Sequence, residues 1–332
     1  MMRETNQVQA AQDTGAAGTA AADGSFGIVQ ISDLHFQDSP GTRGFISHEP
    51  DEGLAAVLAD AGQAIAGASL VVATGDLADT GEPGAYERMG AVLDTLPVPV
   101  YCLAGNHDRQ DELQACLPRP NVHLESAVRV GNWLMLFLDS NAHGREADGD
   151  GTYRDRDDRV HAAAQPGLTP AEEARARGVL AATGAEHVFV WLHQPPLLRT
   201  APDVDSYRGL AALVRDFPAI RAIGAGHLHG DLSGEFEGRP VYVCPSTYYS
   251  IDHTNGSLDG PGYRTYTLHP DGRVDTEVRT VPGGITEGMR RARLPRHLAE
   301  LLAGRITGDE IEALSDAEFE ERFGEPRAIR RS

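Results

Sequence analysis

The stretch SLVVATGD, residues 69–76, joins a short apolar run to a glycine and an aspartate. An apolar run of this length that ends in turn-forming residues is typical of a strand buried inside a sheet. Helical periodicity lies on both sides of it, over residues 54–67 and residues 84–96. The stretch therefore predicts a strand that lies between two helices in an α/β fold.

The same alternation of strand and helix continues outward along the chain. Further strands are predicted over residues 26–33, 99–108, 187–193 and 220–229, and a further helix over residues 208–217. Strands that alternate with helices favour βαβ units and a mainly parallel sheet. Residues 230–281 differ, because their turn pairs Glu237–Gly238 and Asp271–Gly272 predict β-hairpins. We therefore expect an α/β fold with antiparallel pairing late in the chain.

Three regions are predicted from composition. Residues 1–24 are rich in Ala, Gly, Thr and Gln and are interpreted as a disordered tail. Residues 25–283 form the main domain, and its polar stretch 140–168 is too long for a plain connector, which indicates a lid or a disordered loop. Residues 284–332 form a helical extension in which Ser315 and Glu318 predict a capping box. We interpret this extension as a helix packed on the surface, with a homodimer arm as the alternative.

The composition limits the classes of protein and partner. The chain has 332 residues, 41% of them hydrophobic and 23% charged, which is ordinary for a soluble globular protein. No run spans a bilayer and no secretory signal is visible at the N-terminus. The three cysteines are scattered, which argues against disulfides and thiolate metal sites and favours a reducing, cytoplasmic setting.

The net charge of −20 bears on the ligand. A chain this acidic repels long nucleic acids and anionic membranes unless its charge is very unevenly placed. A small anionic substrate remains compatible if a local cation, such as a bound metal, cancels the field.

Metal-ligating side chains follow five of the predicted strands. They are Asp33 and His35, Asp76, Asn106, His193, and His227 and His229. Each of these strand ends is by itself a weak indication of a metal site, because an aspartate after a strand usually forms a turn or a helix cap. Five strand ends that agree form a stronger signal, since ligands in open α/β sheets bind at the carboxyl edge of the strands.

This ligand set suits two divalent ions that share a carboxylate. Carboxylate, amide oxygen and imidazole together favour Mn, Fe, Co or Zn. Two cations about 3.5–4 Å apart can clamp the attacking and leaving oxygens of a phosphate ester and activate a water near neutral pH. A histidine is suited to protonate the leaving oxygen. The residues therefore predict a two-metal phosphate site.

Five short motifs, in this order, resemble the calcineurin-like metallophosphoesterase superfamily: D-x-H (33–35), G-D (75–76), G-N-H-D (105–108), the histidine at 193 and G-H-x-H (226–229). The stretches YCLAGNHD, LHQPP, GAGHLHG, VYVCPST and GPGYRTYTL are similar to the class III cyclic nucleotide phosphodiesterases. The resemblance covers about residues 26 to 281. It implies two packed mixed β-sheets flanked by helices, and a metallophosphoesterase domain over residues 25–283.

The resemblance also implies a role for each residue. The first ion is assigned to Asp33, His35, Asp76 and His229, and the second to Asp76, Asn106, His193 and His227, so that Asp76 bridges. His107 is expected to donate a proton to the leaving oxygen, and Asp108 to orient it. His107, Asn106, Ser246 and Thr247 are the candidate substrate contacts.

We therefore expect a binuclear phosphodiesterase that acts on a 3′,5′-cyclic AMP-like nucleotide or another small phosphodiester. The expected metal ions are Mn or Fe first, with Zn or Co as alternatives. A phosphomonoesterase or glycerophosphodiesterase on the same site is the alternative. A binding module that has lost its metals is the alternative from another class. A nuclease is disfavoured by the net charge.

Other residues depart from the pattern or lie outside it. Asp79 stands where purple acid phosphatases have a tyrosine ligand, which argues against a ferric tyrosinate site. Gln194 stands where related enzymes have a second histidine. Trp133 and Trp191 are interpreted as core residues. The remaining histidines are interpreted as surface or loop residues: His48, His123, His143, His161, His187, His253, His269 and His297.

Overall fold

The computed structural model describes residues 12–13, 21–43, 49–141, 152–154, 160–162, 166–197, 207–254, 256–281, 296, 300 and 314–324. The strands within these ranges are β1 Gln12–Asp13, β2 Phe26–Ile31, β3 Ala68–Thr74, β4 Val100–Leu103, β5 Val122–His123, β6 Ala127–Val130, β7 Trp133–Phe137, β8 Thr152–Arg154, β9 Val160–Ala162, β10 His187–Trp191, β11 Ile220–Ala225, β12 Leu232–Phe236, β13 Arg239–Val243, β14 Ser250–Asp252, β15 Ser257–Asp259, β16 Gly262–Leu268 and β17 Val274–Thr280. The helices are α1 Pro50–Asp60, α2 Gly62–Gly67, α3 Pro83–Leu93, α4 Gln110–Cys116, α5 Pro170–Ala182, α6 Arg208–Asp216 and α7 Asp316–Phe323.

The strands form two large mixed sheets and two small hairpins. One sheet has the order β17-β16-β2-β3-β4-β5, in which β2 to β5 are parallel and β16 and β17 are antiparallel additions. The other has the order β1-β6-β7-β10-β11-β13-β12, with a parallel centre. The hairpins are β8–β9 and β14–β15.

The two sheets pack face to face through an aromatic core. Phe189 and Trp191 from the seven-stranded sheet stack with ring centroids 4.2 Å apart, and Tyr266 from the six-stranded sheet meets both rings edge-on. Trp133 lies in the same cluster, and both tryptophans are fully buried, as predicted. Large rings bury much apolar area and give the sandwich its main cohesion.

Helices cover the outer face of each sheet. The apolar residues of α1 to α4 pack on the six-stranded sheet, and those of α5 and α6 pack on the seven-stranded sheet. Both faces of the central strands are therefore buried, which explains why β3 and β10 read as continuous apolar runs. The predicted architecture of two mixed sheets flanked by helices is confirmed.

Element boundaries shift in two places. The helix predicted over residues 54–67 divides at Ala61 into α1 and α2. The strand predicted over residues 220–229 ends at Ala225, so His227 and His229 lie in the loop after it. Both predicted hairpins are present, as β12–β13 and β16–β17.

The three predicted regions lie only partly within the described residues. In the predicted tail, Gln12–Asp13 pairs in parallel with β6. In the polar stretch, β8 and β9 pair as a hairpin. The Ser315–Glu318 capping box is present at the start of α7. The disordered tail, the lid and the packed or dimerising extension remain predictions. In the part of the chain described here, no helix is long and apolar enough to cross a membrane.

Candidate metal centre

The strand ends of both sheets meet at one edge of the sandwich, and the backbone there is strained. Five of the predicted ligands have left-handed backbone conformations: Asp33 (φ 53°), His35 (φ 48°), Asp76 (φ 47°), His227 (φ 70°) and His229 (φ 49°). Among the described residues, Glu237 in a hairpin turn is the only other non-glycine residue of this kind. Such conformations cost about 1–3 kcal/mol each and concentrate at functional sites.

Three glycines allow the loops to approach so closely. A Cβ at Gly226 would lie 1.9 Å from Ser32 Oγ, and one at Gly105 would lie 2.1 Å from the backbone nitrogen of Asp76. A Cβ at Gly75 would lie 2.6 Å from Nδ1 of His193, a residue of the other sheet. The two sheets can therefore meet at these loops only where a side chain is missing.

One cluster is formed by Asp33, His35 and His229, whose ligand atoms lie within 4.8 Å of one another. His229 Nε2 is 3.4 Å from Asp33 Oδ1 and 3.1 Å from His35 Nε2. His35 Nε2 is also 3.8 Å from Asp76 Oδ2. These are the four residues assigned above to the first ion.

A second cluster is formed by Asp76, His193 and His227, again within 4.8 Å. His193 Nε2 is 3.3 Å from Asp76 Oδ1 and 3.0 Å from Asn106 Oδ1. The ring centroids of His193 and His227 are 5.1 Å apart. One oxygen of Asp76 thus points to each cluster, as a bridging carboxylate requires.

The histidine rings are oriented by acceptors on their far side. Nδ1 of His35 donates to Asp79 Oδ1 at 3.1 Å, and Nδ1 of His229 donates to the Tyr249 carbonyl at 3.1 Å. Nδ1 of His193 donates to the Thr74 carbonyl at 2.7 Å. A carbonyl oxygen can only accept, so in the neutral ring the proton lies on Nδ1 and the lone pair on Nε2. This is the arrangement of metal-ligating histidines.

These lone pairs face one another across a short gap. Nε2 of His35 and Nε2 of His229 are 3.1 Å apart, although each is an acceptor in the neutral ring. His193 Nε2 likewise faces two oxygens, those of Asp76 and Asn106. Acceptors that converge in this way need a cation between them. The residues present therefore fit bound divalent ions.

The charge balance points the same way. Asp33 and Asp76 are buried with exposures of 0% and 2%. Burial raises the pKa of Asp76, but nearby His193 and His107 outweigh it and hold that pKa well below its usual range. Burial lowers the pKa of His193, yet Asp76 outweighs burial and raises it to about 9. Buried carboxylates that keep their charge among imidazoles favour a cation beside them.

His107 lies at the mouth of the site, with 39% of its side chain exposed. Its Nδ1 donates to the Asp79 carbonyl at 2.8 Å, and its Nε2 is 4.0 Å from Asp76 Oδ2. Its backbone N–H donates to Asp76 Oδ1 at 2.9 Å. Nε2 is thus the ring nitrogen that remains available to a ligand.

Asp108 is predicted to orient His107, but the ring nitrogen Nδ1 of His107 donates to the Asp79 carbonyl. The Asp108 carboxylate instead accepts from the backbone N–H groups of Gly105, Leu77 and Ala78, and from the Tyr86 hydroxyl at 3.0 Å. It is buried, with 4% exposure. Asp108 therefore ties the loop after β3 to the loop after β4, and acts on the site through the backbone.

Asp79 is a site residue that sequence reasoning used only to exclude a tyrosine ligand. Its carboxylate accepts from His35 and, at 2.8 Å, from Nε2 of Gln37, while its carbonyl accepts from His107. Burial raises the pKa of Asp79, but the hydrogen bonds from His35 and Gln37 and the electrostatic attraction of His35 and His107 together outweigh burial and lower that pKa to about 2. The sequence signal that could have identified Asp79 as a site residue is its position three residues after Asp76.

Ser246 and Thr247, the predicted substrate contacts, are both fully buried. The Ser246 hydroxyl donates to the Asp33 carbonyl at 2.7 Å, and the backbone N–H of Thr247 donates to the Ser32 carbonyl at 3.0 Å. The chain after β13 passes beneath the Asp33 loop. These residues therefore support the site from below.

Gln194, His187 and His253 each make a contact that the sequence did not indicate. Gln194 links the sheets: its Nε2 donates to Asn141 Oδ1 at 2.8 Å, and Asn141 Nδ2 donates to the Ala104 carbonyl at 2.7 Å. His187 is buried in β10 with 6% exposure and donates to the Pro270 carbonyl. His253 is half-buried and contacts the loop of His227 and His229. His187 is thus a buried strand residue and not the surface or loop residue that was predicted, whereas His253 lies in the turn after β14, in agreement with the prediction.

Comparison with known proteins places this geometry in a family. The sequence model of the calcineurin-like phosphoesterases matches residues 26–231. The 3′,5′-cyclic adenosine monophosphate phosphodiesterase CpdA of Pseudomonas aeruginosa is 26% identical over 281 residues, which cover 81% of this chain and 95% of that protein. CpdA of Escherichia coli is 28% identical over 229 residues, which cover 63% of this chain and 73% of that protein.

A solved structure supports the fold. GAP50, the anchor in the inner membrane complex of Plasmodium, superposes with a TM-score of 0.53 at 14% identity over 78% of this chain and 86% of that one. At this identity the likeness concerns the fold alone. The family match covers more than half of the chain and spans all five strand ends of the site. The chain therefore belongs to the calcineurin-like phosphoesterase family and is a hydrolase of phosphoric esters.

Proposed function

We propose that this hydrolase is a binuclear metal-dependent phosphodiesterase that acts on a small phosphodiester, with a 3′,5′-cyclic nucleotide as the first candidate. The observation that carries the proposal is the pair of clusters on either side of Asp76, in one of which the Nε2 atoms of His35 and His229 lie 3.1 Å apart. The relatives named as cyclic AMP phosphodiesterases support the choice of substrate.

The proposed metal ligands divide as the sequence suggested. Asp33, His35, Asp76 and His229 would hold one ion, and Asp76, Asn106, His193 and His227 the other. The donor set of carboxylate, amide and imidazole suits Mn or Fe first, with Zn or Co as alternatives. When bound, two such ions supply a nucleophile at neutral pH and neutralise the phosphate.

The chain's own residues supply the proton and the orientation. Nδ1 of His107 is committed to the Asp79 carbonyl at 2.8 Å, so Nε2 faces the mouth of the site. From there it would donate a proton to the leaving oxygen, which an alkoxide needs because it is a poor leaving group. Asn106, next to His107, would contact both substrate and metal.

The proposal includes the setting of the enzyme. A net charge of −20 favours a small anion held by metal ions over a long nucleic acid. Cys102, Cys116 and Cys244 are free thiols, which is compatible with the reducing, cytoplasmic setting that we propose.

A substrate panel on the full chain, with metal analysis of the same preparation, tests the proposal. The panel compares 3′,5′-cyclic nucleotides, 2′,3′-cyclic nucleotides, bis-nitrophenyl phosphate, glycerophosphodiesters and nitrophenyl phosphate in the presence of Mn²⁺. We expect two bound ions and preference for the cyclic diesters. Preference for the monoester would replace the diesterase by a phosphomonoesterase, and failure to bind any divalent ion would leave a non-catalytic binding module.

A further inference from the structure

One short segment, residues 249–253, makes three hydrogen bonds to the loop that carries His227 and His229. The Tyr249 carbonyl accepts from Nδ1 of His229 at 3.1 Å, and the backbone N–H of Ile251 donates to the His229 carbonyl at 2.6 Å. Nε2 of His253 lies 2.6 Å from the Leu228 carbonyl. Because a carbonyl only accepts, this nitrogen of His253 carries the proton and donates it.

The position of Leu228 gives the last of these contacts its importance. Leu228 lies between His227, proposed to hold the second ion, and His229, proposed to hold the first. Both histidines have left-handed backbone conformations, with φ of 70° and 49°. A strained loop keeps such angles only where its surroundings over-determine them. The bond from His253 fixes the peptide between the two strained residues.

The loop is also shaped to admit the ring of His253. A Cβ at Gly230 would lie 2.8 Å from Cδ2 and 2.9 Å from Nε2 of His253, closer than real side chains approach. The glycine thus leaves the space that the imidazole fills. The hydrogen bond from His253 to Leu228 thus depends on two features: the donor in the turn between β14 and β15, and the absence of a side chain at Gly230.

We propose that His253 is a positioning residue that sets the spacing of His227 and His229, and through them the affinity of the site for both metal ions. This inference rests on the metal roles proposed for His227 and His229. His253 itself contacts neither ion in this assignment, since its proton-bearing nitrogen is committed to the Leu228 carbonyl at 2.6 Å. Partners that orient metal ligands in this way typically change metal affinity by about 10–100-fold when they are removed.

Three variants of His253 separate the hydrogen bond from packing. His253→Ala removes ring and donor, His253→Phe keeps a ring without the donor, and His253→Gln keeps an N–H at nearly the same reach. The matched control is His269→Ala, because His269 also donates at 2.8 Å but to Asp275 on an exposed hairpin. Each full-length protein is stripped of metal and titrated with Mn²⁺ and Co²⁺.

We expect His253→Ala and His253→Phe to bind both ions about 10–100-fold more weakly and to show an altered visible spectrum with Co²⁺. We expect His253→Gln to stay near the wild type, and His269→Ala to be unchanged. Activity of the Ala and Phe variants should recover at high Mn²⁺. Thermal unfolding of the metal-free proteins shows whether a loss of stability accompanies the loss of affinity.

The outcomes separate this inference from the proposed function. Wild-type affinity for both ions in His253→Phe would overturn the positioning role and leave the metal centre intact. Equal weakening in His253→Phe and His253→Gln would also overturn it, because the donor would then not matter. If the wild type binds no divalent ion, or if His229→Ala retains both, the proposed metal centre itself fails.

Discussion

The two sheets bring different chemistry to the same edge of the sandwich. The six-stranded sheet supplies both candidate carboxylates, Asp33 and Asp76, together with Asn106 and His35. The seven-stranded sheet supplies imidazoles only, from His193 and from the loop after β11. The oxygen ligands, and with them the negative charge, thus come from one side, and the other side supplies nitrogen ligands.

The two halves are also held differently. In the six-stranded half, neighbouring loops bind through the backbone: Asp33 N–H donates to the Gly75 carbonyl at 3.0 Å, and His35 N–H donates to the Asp76 carbonyl at 2.9 Å. The seven-stranded half has a backbone bond of this kind too, from Gly226 N–H to the His193 carbonyl at 2.9 Å. It differs in its rings, because His193 and His229 donate to carbonyls whereas His35 donates to the Asp79 carboxylate. Substitutions in the six-stranded half should therefore weaken metal binding by removing negative charge. Substitutions in the seven-stranded half should weaken it by displacing the imidazole rings.

Asp76→Asn tests the charged half at its centre. One carboxylate oxygen points to each cluster, so removing the charge should weaken both ions at once. We expect activity to fall more than ~10⁴-fold, beyond what a single acid–base group contributes, and metal content to fall with it. Asp275→Asn, at an exposed hairpin, is the control. Retention of one full metal site in Asp76→Ala would refute bridging.

His107→Ala tests the proposal that His107 serves the leaving group and not the ions. We expect diester hydrolysis to fall roughly 10²–10⁴-fold while metal content stays unchanged. The loss should be smaller for bis-nitrophenyl phosphate, because nitrophenolate leaves without a proton. Steady-state rates and metal analysis of one preparation check both points. Metal loss in this variant would assign His107 to the metal centre instead.

Asp79→Asn separates the two contacts that Asp79 makes. Its backbone carbonyl, and hence the bond to His107, is kept, but the anionic partner of His35 is lost. We expect the affinity for the first ion to fall about 10–100-fold, with less effect on the second. Metal titration is the measurement, and Asp216→Asn, which removes an exposed carboxylate paired with Arg177, is the control. Equal loss at both sites would mean that Asp79 acts on the whole site.

Gly226→Ala and Gly178→Ala are expected to change the free energy of unfolding by small amounts of opposite sign. A Cβ at Gly226 would lie 1.9 Å from Ser32 Oγ, whereas one at Gly178, exposed on α5, meets nothing within 4 Å. We expect the free energy of unfolding to fall by about 1–3 kcal/mol at Gly226 and to rise by about 0.5–1 kcal/mol at Gly178. Urea unfolding of the metal-free proteins measures both. A neutral Gly226→Ala would show that the loops separate easily.

The proposed ligand residues could be predicted because each lies within four residues of the end of an apolar strand. Asp33, Asp76 and His193 are strand-end residues whose side-chain types already suit a divalent ion. The site's other supports could not be predicted in this way. Asp79 meets His107 across 28 residues, and His253 meets Leu228 across 25 residues, with no motif to link either pair. Ser246 and Thr247 are fully buried, which their polar side chains do not indicate.

The sequence by itself determined the α/β class, the five strand ends and the ligand types, because periodicity and residue chemistry are local properties. Only the tertiary structure decided which acceptor orients each imidazole. It also decided that Asp108 accepts from backbone N–H groups while the Asp79 carbonyl accepts from His107, and that His253 contacts the loop between His227 and His229. These contacts join residues of different loops and different sheets. Their distances follow from how the two sheets pack, and no local pattern records that packing.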